Sequence, residues 1–140
     1  MRRVAVVLVA LAALAGCGSD GGSEATDDGS SADAGTSLTI VVTPADDVEP
    51  STYELTCDPA GGDHPQAAEA CKALGAAGAD VFEPVPDDQA CTMIFGGPQK
   101  ATVTGTYDGQ TVDASFSREN GCEIERWETL GTTFFNVPLQ

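Results

Sequence analysis

Four cysteines between residues 57 and 122 constrain the fold of this chain more than any other feature. The 140-residue sequence has five cysteines in all, and the first, Cys17, ends an N-terminal apolar run typical of an export signal. Cysteines exported to an oxidising exterior form disulfides. Three pairings of the other four are open, and proximity in sequence suggests Cys57 with Cys71 and Cys91 with Cys122.

Two disulfides would provide a large share of the stability of so small a domain. By the chain-entropy model, each loop of this size contributes about 3 to 4 kcal/mol to the free energy of unfolding. Zinc coordination is the competing use of four cysteines. The chain has no Cys-x-x-Cys knuckle and its N-terminus predicts export, so we expect disulfides, with neither a metal nor another cofactor.

The N-terminus predicts export followed by attachment of lipid. Two arginines precede an apolar run over residues 4–14, which is too short to remain as a membrane span. The run ends in Leu-Ala-Gly-Cys at residues 14–17, the form of a bacterial lipoprotein signal. We therefore expect residues 1–16 to be a signal peptide and Cys17 to anchor the mature chain at the extracellular face of the cell membrane. The alternative is an ordinary secretory signal, in which case the protein would be secreted without a lipid anchor.

Composition divides the mature chain into a tether and one domain. Residues 17–36 are mostly Gly, Ser, Ala, Thr and Asp, which bury too little apolar surface to fold, so a flexible acidic linker is predicted. Residues 37–140 have the length of a single domain. Without the signal, four basic side chains remain against 22 acidic ones. Nucleic acid is therefore excluded as a partner, because phosphate contacts need a basic surface.

Alternating apolar and polar residues predict an antiparallel sheet. One hairpin surrounds the turn formers at residues 44–47, and a second turns at Asp108-Gly109. Residues 132–139 are rich in apolar side chains and are interpreted as a closing strand. The four hairpin strands are predicted at residues 37–43, 51–57, 101–107 and 110–117.

One helix signal stands out between the two hairpins. An Ala-rich run extends from His64 to Ala77, with Pro65 acceptable in its first turn. The predicted fold class is therefore α+β, an antiparallel sheet with one main helix. His64 is the only histidine of the chain, and at a helix start beside a proline we expect it to have a structural or capping role.

Residues 91–98 combine large apolar side chains with the signals of a surface loop. Prolines and aspartates precede the segment, and two glycines and a proline end it. An extended segment of this kind fits a protease cleft by pairing main chain with main chain and sending alternate side chains into pockets. If Met93 enters the S1 pocket, the reactive bond is Met93–Ile94, and a disulfide from Cys91 would keep the loop rigid. The alternative is that residues 93–95 form a short core strand.

The chemistry of Met93 restricts the class of protease. Its unbranched thioether suits a roomy apolar S1 pocket, as in subtilisin-like or chymotrypsin-like enzymes. It offers no charge to the aspartate at the base of a trypsin-like pocket. We therefore expect trypsin-like enzymes to bind weakly.

The order of these features resembles the Streptomyces subtilisin inhibitor family from about residue 37 onward. In that family the residue two after the third domain cysteine fills S1, so the resemblance implies the reactive bond Met93–Ile94. Asn120 matches the asparagine that supports the loop in the family. The resemblance places Cys91, Thr92, Phe95 and Gly96 in the binding loop. The matching segments are residues 55–57, 62–65, 68–71, 91–94, 103–105, 108–109 and 120–123.

The resemblance also has consequences for architecture and assembly. It implies the disulfides Cys57–Cys71 and Cys91–Cys122, together with a five-stranded antiparallel sheet, one main helix and one minor helix. It further implies a homodimer that binds one serine protease per subunit.

Other functions remain to be weighed against inhibition. The chain has no Gly-x-Ser-x-Gly turn and no calcium-loop spacing, so we expect neither an enzyme with catalytic residues nor a metal site. A surface lipoprotein could keep the fold as a protein-binding module or cross-linking substrate without inhibition. Its exposed cross-linking groups would be Gln66, Gln89 or Gln99 as acceptors and Lys72 or Lys100 as donors.

Overall fold

The computed structural model describes residues 35–138, and within them the strands and helices are defined as follows. The strands are β1 (Thr36–Thr43), β2 (Ser51–Cys57), β3 (Gly61–Gly62), β4 (Lys100–Tyr107) and β5 (Gln110–Phe116). The α-helices are α1 (Ala67–Ala77) and α2 (Gly121–Phe135), and a 3-10 turn spans Ala79–Phe82. All five strands form one antiparallel sheet in the order β3-β2-β1-β4-β5. The predicted α+β class is confirmed.

Several predictions concern parts of the chain outside these residues. The signal peptide, the lipid-accepting Cys17 and nearly all of the linker precede residue 35, and Leu139 and Gln140 follow residue 138. Within the described range, no helix is long and apolar enough to cross a membrane. The first strand begins at Thr36, one residue before the predicted start of the domain.

The central strand β1 shows how the sequence pattern builds the sheet. Successive side chains of a strand point to opposite faces, so Leu38, Ile40 and Val42 share one face, and all three are buried. Ile40 lies opposite Tyr53 of β2 on one side and Val103 of β4 on the other. Both predicted hairpin pairs, β1 with β2 and β4 with β5, are confirmed.

The core lies between the buried face of the sheet and the two helices. Its centre is aromatic: the Trp127 ring stacks on Phe135 with ring centroids 4.0 Å apart, and Phe116 and Phe134 meet Phe135 edge to face. Trp127, Phe134 and Phe135 are completely buried. Burial of each large side chain stabilises the fold by about 2 to 3 kcal/mol, so α2 holds the sheet through these contacts.

The predicted closing strand over residues 132–139 is wrong, because residues 132–135 are the end of α2 and residues 136–138 form no strand. Trp127, Leu130 and Phe134 recur at helical spacing and form one buried stripe. The helix is interrupted at Gly131, whose φ of 78° is outside the helical range, and it ends at Asn136 in the left-handed region. The predicted main helix, α1, has 11 uninterrupted residues, whereas the 15 residues of α2 are divided by Gly131.

His64 has the structural role expected from the sequence. Its Nδ1 accepts a hydrogen bond of 3.1 Å from the main-chain N–H of Gln66, which leaves Nε2 to donate to the Phe134 carbonyl at 2.9 Å. The imidazole is buried and lies edge to face with Tyr53. It therefore joins the start of α1 to the end of α2.

Both predicted disulfides are present. Cys57–Cys71 joins the end of β2 to α1, and Cys91–Cys122 joins the segment before β4 to the first turn of α2. The second bridge brings residues on either side of the β4–β5 hairpin together and defines the candidate site.

Candidate functional site

Three consecutive apolar side chains project from the surface just beyond Cys91. Met93 is 94% exposed, Ile94 61% and Phe95 66%. These values exclude the short core strand that was the alternative for this segment. A contiguous apolar patch on a soluble domain usually marks an interaction surface. We define residues 91–96 as the site loop.

The upstream side of the loop is fixed to the start of α2. The Cys91–Cys122 bridge holds the two Cα atoms 5.4 Å apart, and the Gly121 N–H donates to the Thr92 carbonyl at 2.9 Å. A Cβ atom at residue 121 would collide with the Thr92 side chain. A side chain at residue 121 would therefore force the Thr92 hydroxyl to move.

The downstream side of the loop is fixed by a different segment. The Gly96 N–H donates to the Arg118 carbonyl at 2.7 Å, and Nη1 of Arg118 donates back to the Gly96 carbonyl, also at 2.7 Å. A Cβ at residue 96 would lie 2.8 Å from Cδ1 of Ile124, which is closer than van der Waals contact allows. The residues from Met93 to Phe95 thus lie between Thr92 and Gly96, whose main chains are both hydrogen-bonded to the domain.

The side chain of Asn120, expected to support the loop, contacts α2. Its Oδ1 accepts a hydrogen bond of 3.0 Å from the Glu123 N–H, so Asn120 is the N-cap of that helix. The cap fixes the residues that follow, among them Gly121 and Cys122, which contact the loop directly. Direct support of the loop by Asn120 stays a prediction.

Sequence reasoning missed Arg118, Gly121 and Ile124 as contacts of the loop. Arginine just after a strand is usually solvent-exposed, and nothing in the local pattern indicates that Arg118 is buried. The only available signal for Gly121 was its position next to the second cysteine of the bridge. Ile124 falls one turn into α2, and although the resemblance implied a second, minor helix, nothing in the sequence analysis assigned it to these residues.

The other candidate groups lie apart from this arrangement. Gln66 and Gln89 are exposed, as expected for cross-linking acceptors, whereas the expectation for Gln99 is wrong because its side chain is folded inward and 6% exposed. Lys72 and Lys100 are exposed. Between residues 35 and 138, no cluster of three or more His, Cys, Asp or Glu side chains is arranged to hold a metal ion.

Comparison with known proteins shows the family to which this chain is similar. Residues 34–120, more than half of the chain, match the family model for subtilisin inhibitor-like proteins. A subtilase-type protease inhibitor from Streptomyces fradiae is 35% identical over 134 residues, which cover 91% of this chain and 92% of the relative. The chain belongs to the subtilisin inhibitor-like family.

Two further comparisons are with another relative in sequence and with a solved structure. Subtilisin inhibitor-like protein 1 from Streptomyces cacaoi is 38% identical over 76 residues, or 51% of this chain and 68% of the relative. Streptomyces caespitosus sermetstatin, solved in complex with Bacillus licheniformis subtilisin, is 22% identical with a TM-score of 0.47. That match covers 74% of this chain and 99% of the solved chain.

Proposed function

We propose that this subtilisin inhibitor-like protein is a substrate-like inhibitor of subtilisin-type serine endopeptidases and presents Met93–Ile94 as its reactive bond. One observation carries the proposal: Met93 is 94% exposed on a loop whose neighbouring residues on both sides are tied to the domain. A large exposed side chain on a fixed main chain is what an S1 pocket binds best. The relative named a subtilase-type protease inhibitor, which matches almost the whole chain, supports the same function.

The mechanism follows from the anchors of the site loop. An ordinary substrate loses conformational entropy when its main chain is ordered in the cleft, whereas Thr92 and Gly96 are already held by hydrogen bonds. Binding is therefore tighter for the same contacts. After attack on the Met93 carbonyl, the Cys91–Cys122 bridge and the Gly121 hydrogen bond keep the acyl side joined to the domain. The protease supplies every catalytic group, and the inhibitor needs none of its own.

The exposed side chains set the expected selectivity. Met93 would fill a roomy apolar S1 pocket, and Ile94 and Phe95 would contact the sites beyond the cleaved bond. Subtilisin-like enzymes are therefore the first targets, with chymotrypsin-like enzymes second. Trypsin-like enzymes should bind weakly because Met93 has no charge for their S1 aspartate.

We further propose that the inhibitor acts at the cell surface. Lipid on Cys17 would anchor it to the extracellular face of the membrane, and the acidic linker over residues 17–36 would hold the domain away from that surface. Mass spectrometry of the exported protein tests for the lipid. The homodimer implied by the family resemblance belongs to the same proposal, and sedimentation equilibrium tests it.

The decisive experiment is a titration of subtilisin with the disulfide-bonded full chain and two variants of Met93. The native chain and Met93→Leu should inhibit stoichiometrically, because both side chains are apolar and of similar volume. Met93→Asp should weaken inhibition by about a thousandfold, because an unpaired carboxylate in an apolar pocket costs several kcal/mol. Its thermal midpoint should be unchanged, since residue 93 is exposed.

A matched control places the same charge away from the loop. Gln110 is exposed at the start of β5, after the hairpin turn at the far end of β4, so Gln110→Asp should leave inhibition unchanged. Rapid cleavage of the native chain at many bonds, without inhibition, would contradict the proposal. That result would favour the alternative, a surface lipoprotein that keeps the fold for protein binding or cross-linking.

A further inference from the structure

Arg118 is an unusual residue in this domain because its charged side chain is buried beside the site loop. Only 8% of the side chain is exposed. Its main-chain carbonyl accepts from the Gly96 N–H and its Nη1 donates to the Gly96 carbonyl, both at 2.7 Å. Nη2 lies 3.8 Å from Oε1 of Glu128, a mostly exposed carboxylate. Both polar main-chain groups of Gly96 are therefore bonded to one residue.

Gly96 lies on the side of the reactive bond that cleavage would release. Hydrolysis of Met93–Ile94 creates a new amine on Ile94, two residues before Gly96. Two extended residues span at most about 7 Å, so an anchored Gly96 keeps this amine within about 7 Å of its own position. The Cys91–Cys122 bridge and Gly121 hold the other product strand, whereas the hydrogen bonds of Gly96 on the amine strand go to Arg118.

The fate of the acyl-enzyme depends on where this amine is. In resealing, the Ile94 nitrogen attacks the ester carbon that joins Met93 to the protease serine, the ester C–O bond breaks, and the peptide bond forms again. The amine proton passes through the protease histidine to the serine oxygen, so no water is consumed. In hydrolysis, water attacks the same carbon and leaves a Met93 carboxylate. A nearby amine at high effective concentration favours resealing.

We propose that Arg118 is a positioning residue for resealing: by clamping Gly96, it keeps the released Ile94 amine beside the acyl-enzyme. This role rests on the proposed inhibitory function. It separates the loop supports into two sets, with the disulfide and Gly121 holding the acyl side and Arg118 holding the amine side. A hydrogen bond from a charged donor to a buried carbonyl is stronger than one from a neutral donor. Arg118 can therefore hold Gly96 in place without a second side chain.

The test measures the ratio of cleaved to intact inhibitor at equilibrium. The disulfide-bonded full chain is incubated with a small molar fraction of subtilisin, starting separately from intact and from cleaved protein, and the two forms are quantified by mass spectrometry. Arg118→Gln should raise the cleaved-to-intact ratio by about tenfold, the effect expected for loss of one charge-assisted hydrogen bond. Arg118→Lys, which keeps a charged donor, should fall between the native chain and Arg118→Gln.

Arg126 provides a matched control for the loss of a partly buried arginine. Its guanidinium donates to the carbonyls of Ser115 and Val81 and to the Glu123 carboxylate, and it lies over the Phe116 ring. Arg126→Gln should lower the thermal midpoint and leave the cleaved-to-intact ratio unchanged. This contrast separates positioning of the amine from general stability.

The outcomes distinguish this inference from the function on which it rests. Stoichiometric inhibition by the native chain, with the same ratio in Arg118→Gln, would overturn the role of Arg118 and leave the inhibitory function intact. An equal change in Arg118→Gln and Arg126→Gln would also overturn it, because general destabilisation would then explain both. Failure of the native chain to inhibit would overturn the function and the inference together. If Arg118→Gln does not fold, the ratio for Arg118→Lys decides the question.

Discussion

The two disulfides span similar distances but join different kinds of structure. Cys57–Cys71, with Cα atoms 5.7 Å apart, connects a strand to a helix, and both cysteines pack against the core. Cys91–Cys122, at 5.4 Å, connects a segment without regular secondary structure to the first turn of α2. The first bridge lies within packed elements, and the second lies beside exposed side chains.

Chain entropy alone does not distinguish the two bridges. They are separated by 14 and 31 residues in sequence. The corresponding contributions to the free energy of unfolding are about 3 and 4 kcal/mol. The difference lies in the folded state: packing already restricts β2 and α1, whereas the side chains of Met93 to Phe95 have few neighbours to restrict them. A bridge at the loop therefore removes freedom that packing does not remove.

Among changes that compare the two bridges, the largest expected effect on inhibition comes from breaking the bridge at the loop. Cys91→Ser combined with Cys122→Ser should weaken inhibition of subtilisin by about a hundredfold, because ordering each freed loop residue costs about 1 kcal/mol on binding. Titration against subtilisin measures the change, and mass spectrometry should find faster net cleavage of Met93–Ile94. Unchanged inhibition would show that the hydrogen bonds to Thr92 and Gly96 are sufficient to fix the loop.

A smaller effect on inhibition is expected from breaking the bridge in the packed region. Cys57→Ser combined with Cys71→Ser should lower the free energy of unfolding by about 3 kcal/mol, measured by urea denaturation. At temperatures where this variant is folded, inhibition should stay within a few-fold of the native value, because the loop anchors are intact. A loss of inhibition as large as that of the Cys91→Ser and Cys122→Ser variant would show that the two bridges do not differ in their effect on the loop.

The change that is smallest in free energy tests the close packing beneath the loop. In Gly96→Ala the new Cβ would lie 2.8 Å from Ile124 and 3.3 Å from Cβ of Arg118, so the loop or the Ile124 side chain must move. We expect inhibition to weaken by about tenfold, which corresponds to about 1.4 kcal/mol. Gly75→Ala is the control: a Cβ there has no neighbour within 4 Å, and α1 should gain about 0.5 to 1 kcal/mol without a change in inhibition. Equal inhibition by both variants would show that the Ile124 contact is not needed.

Much of the site could be predicted because its signals are local. Prolines, aspartates and glycines around residues 91–98 indicated a surface loop, and the exposure of Met93 agrees. The disulfide pairs followed from proximity in sequence and from the family resemblance. The strands of both hairpins were recognisable because strand alternation and turn residues act over a few positions.

The errors arose where contacts distant in sequence decide the outcome. Phe134 and Phe135 are adjacent apolar residues compatible with either a strand or a helix, and packing around Trp127 selects the helix. Gln99 is polar and was expected at the surface, yet it is buried just before β4. Arg118 contacts a residue 22 positions away, and no local pattern encodes that contact.

The sequence by itself therefore determined the exposed loop and the alternating strands, because both depend on short-range backbone preferences, and proximity with the family resemblance suggested the two disulfides. The reactive bond Met93–Ile94 stays a prediction. Only the tertiary structure decided what lies beneath the loop. Gly121, Arg118 and Ile124 meet Thr92 and Gly96 because the β4–β5 hairpin returns the chain to the site and α2 starts there. Contacts of this kind depend on the packing of the whole domain, which no local window of sequence contains.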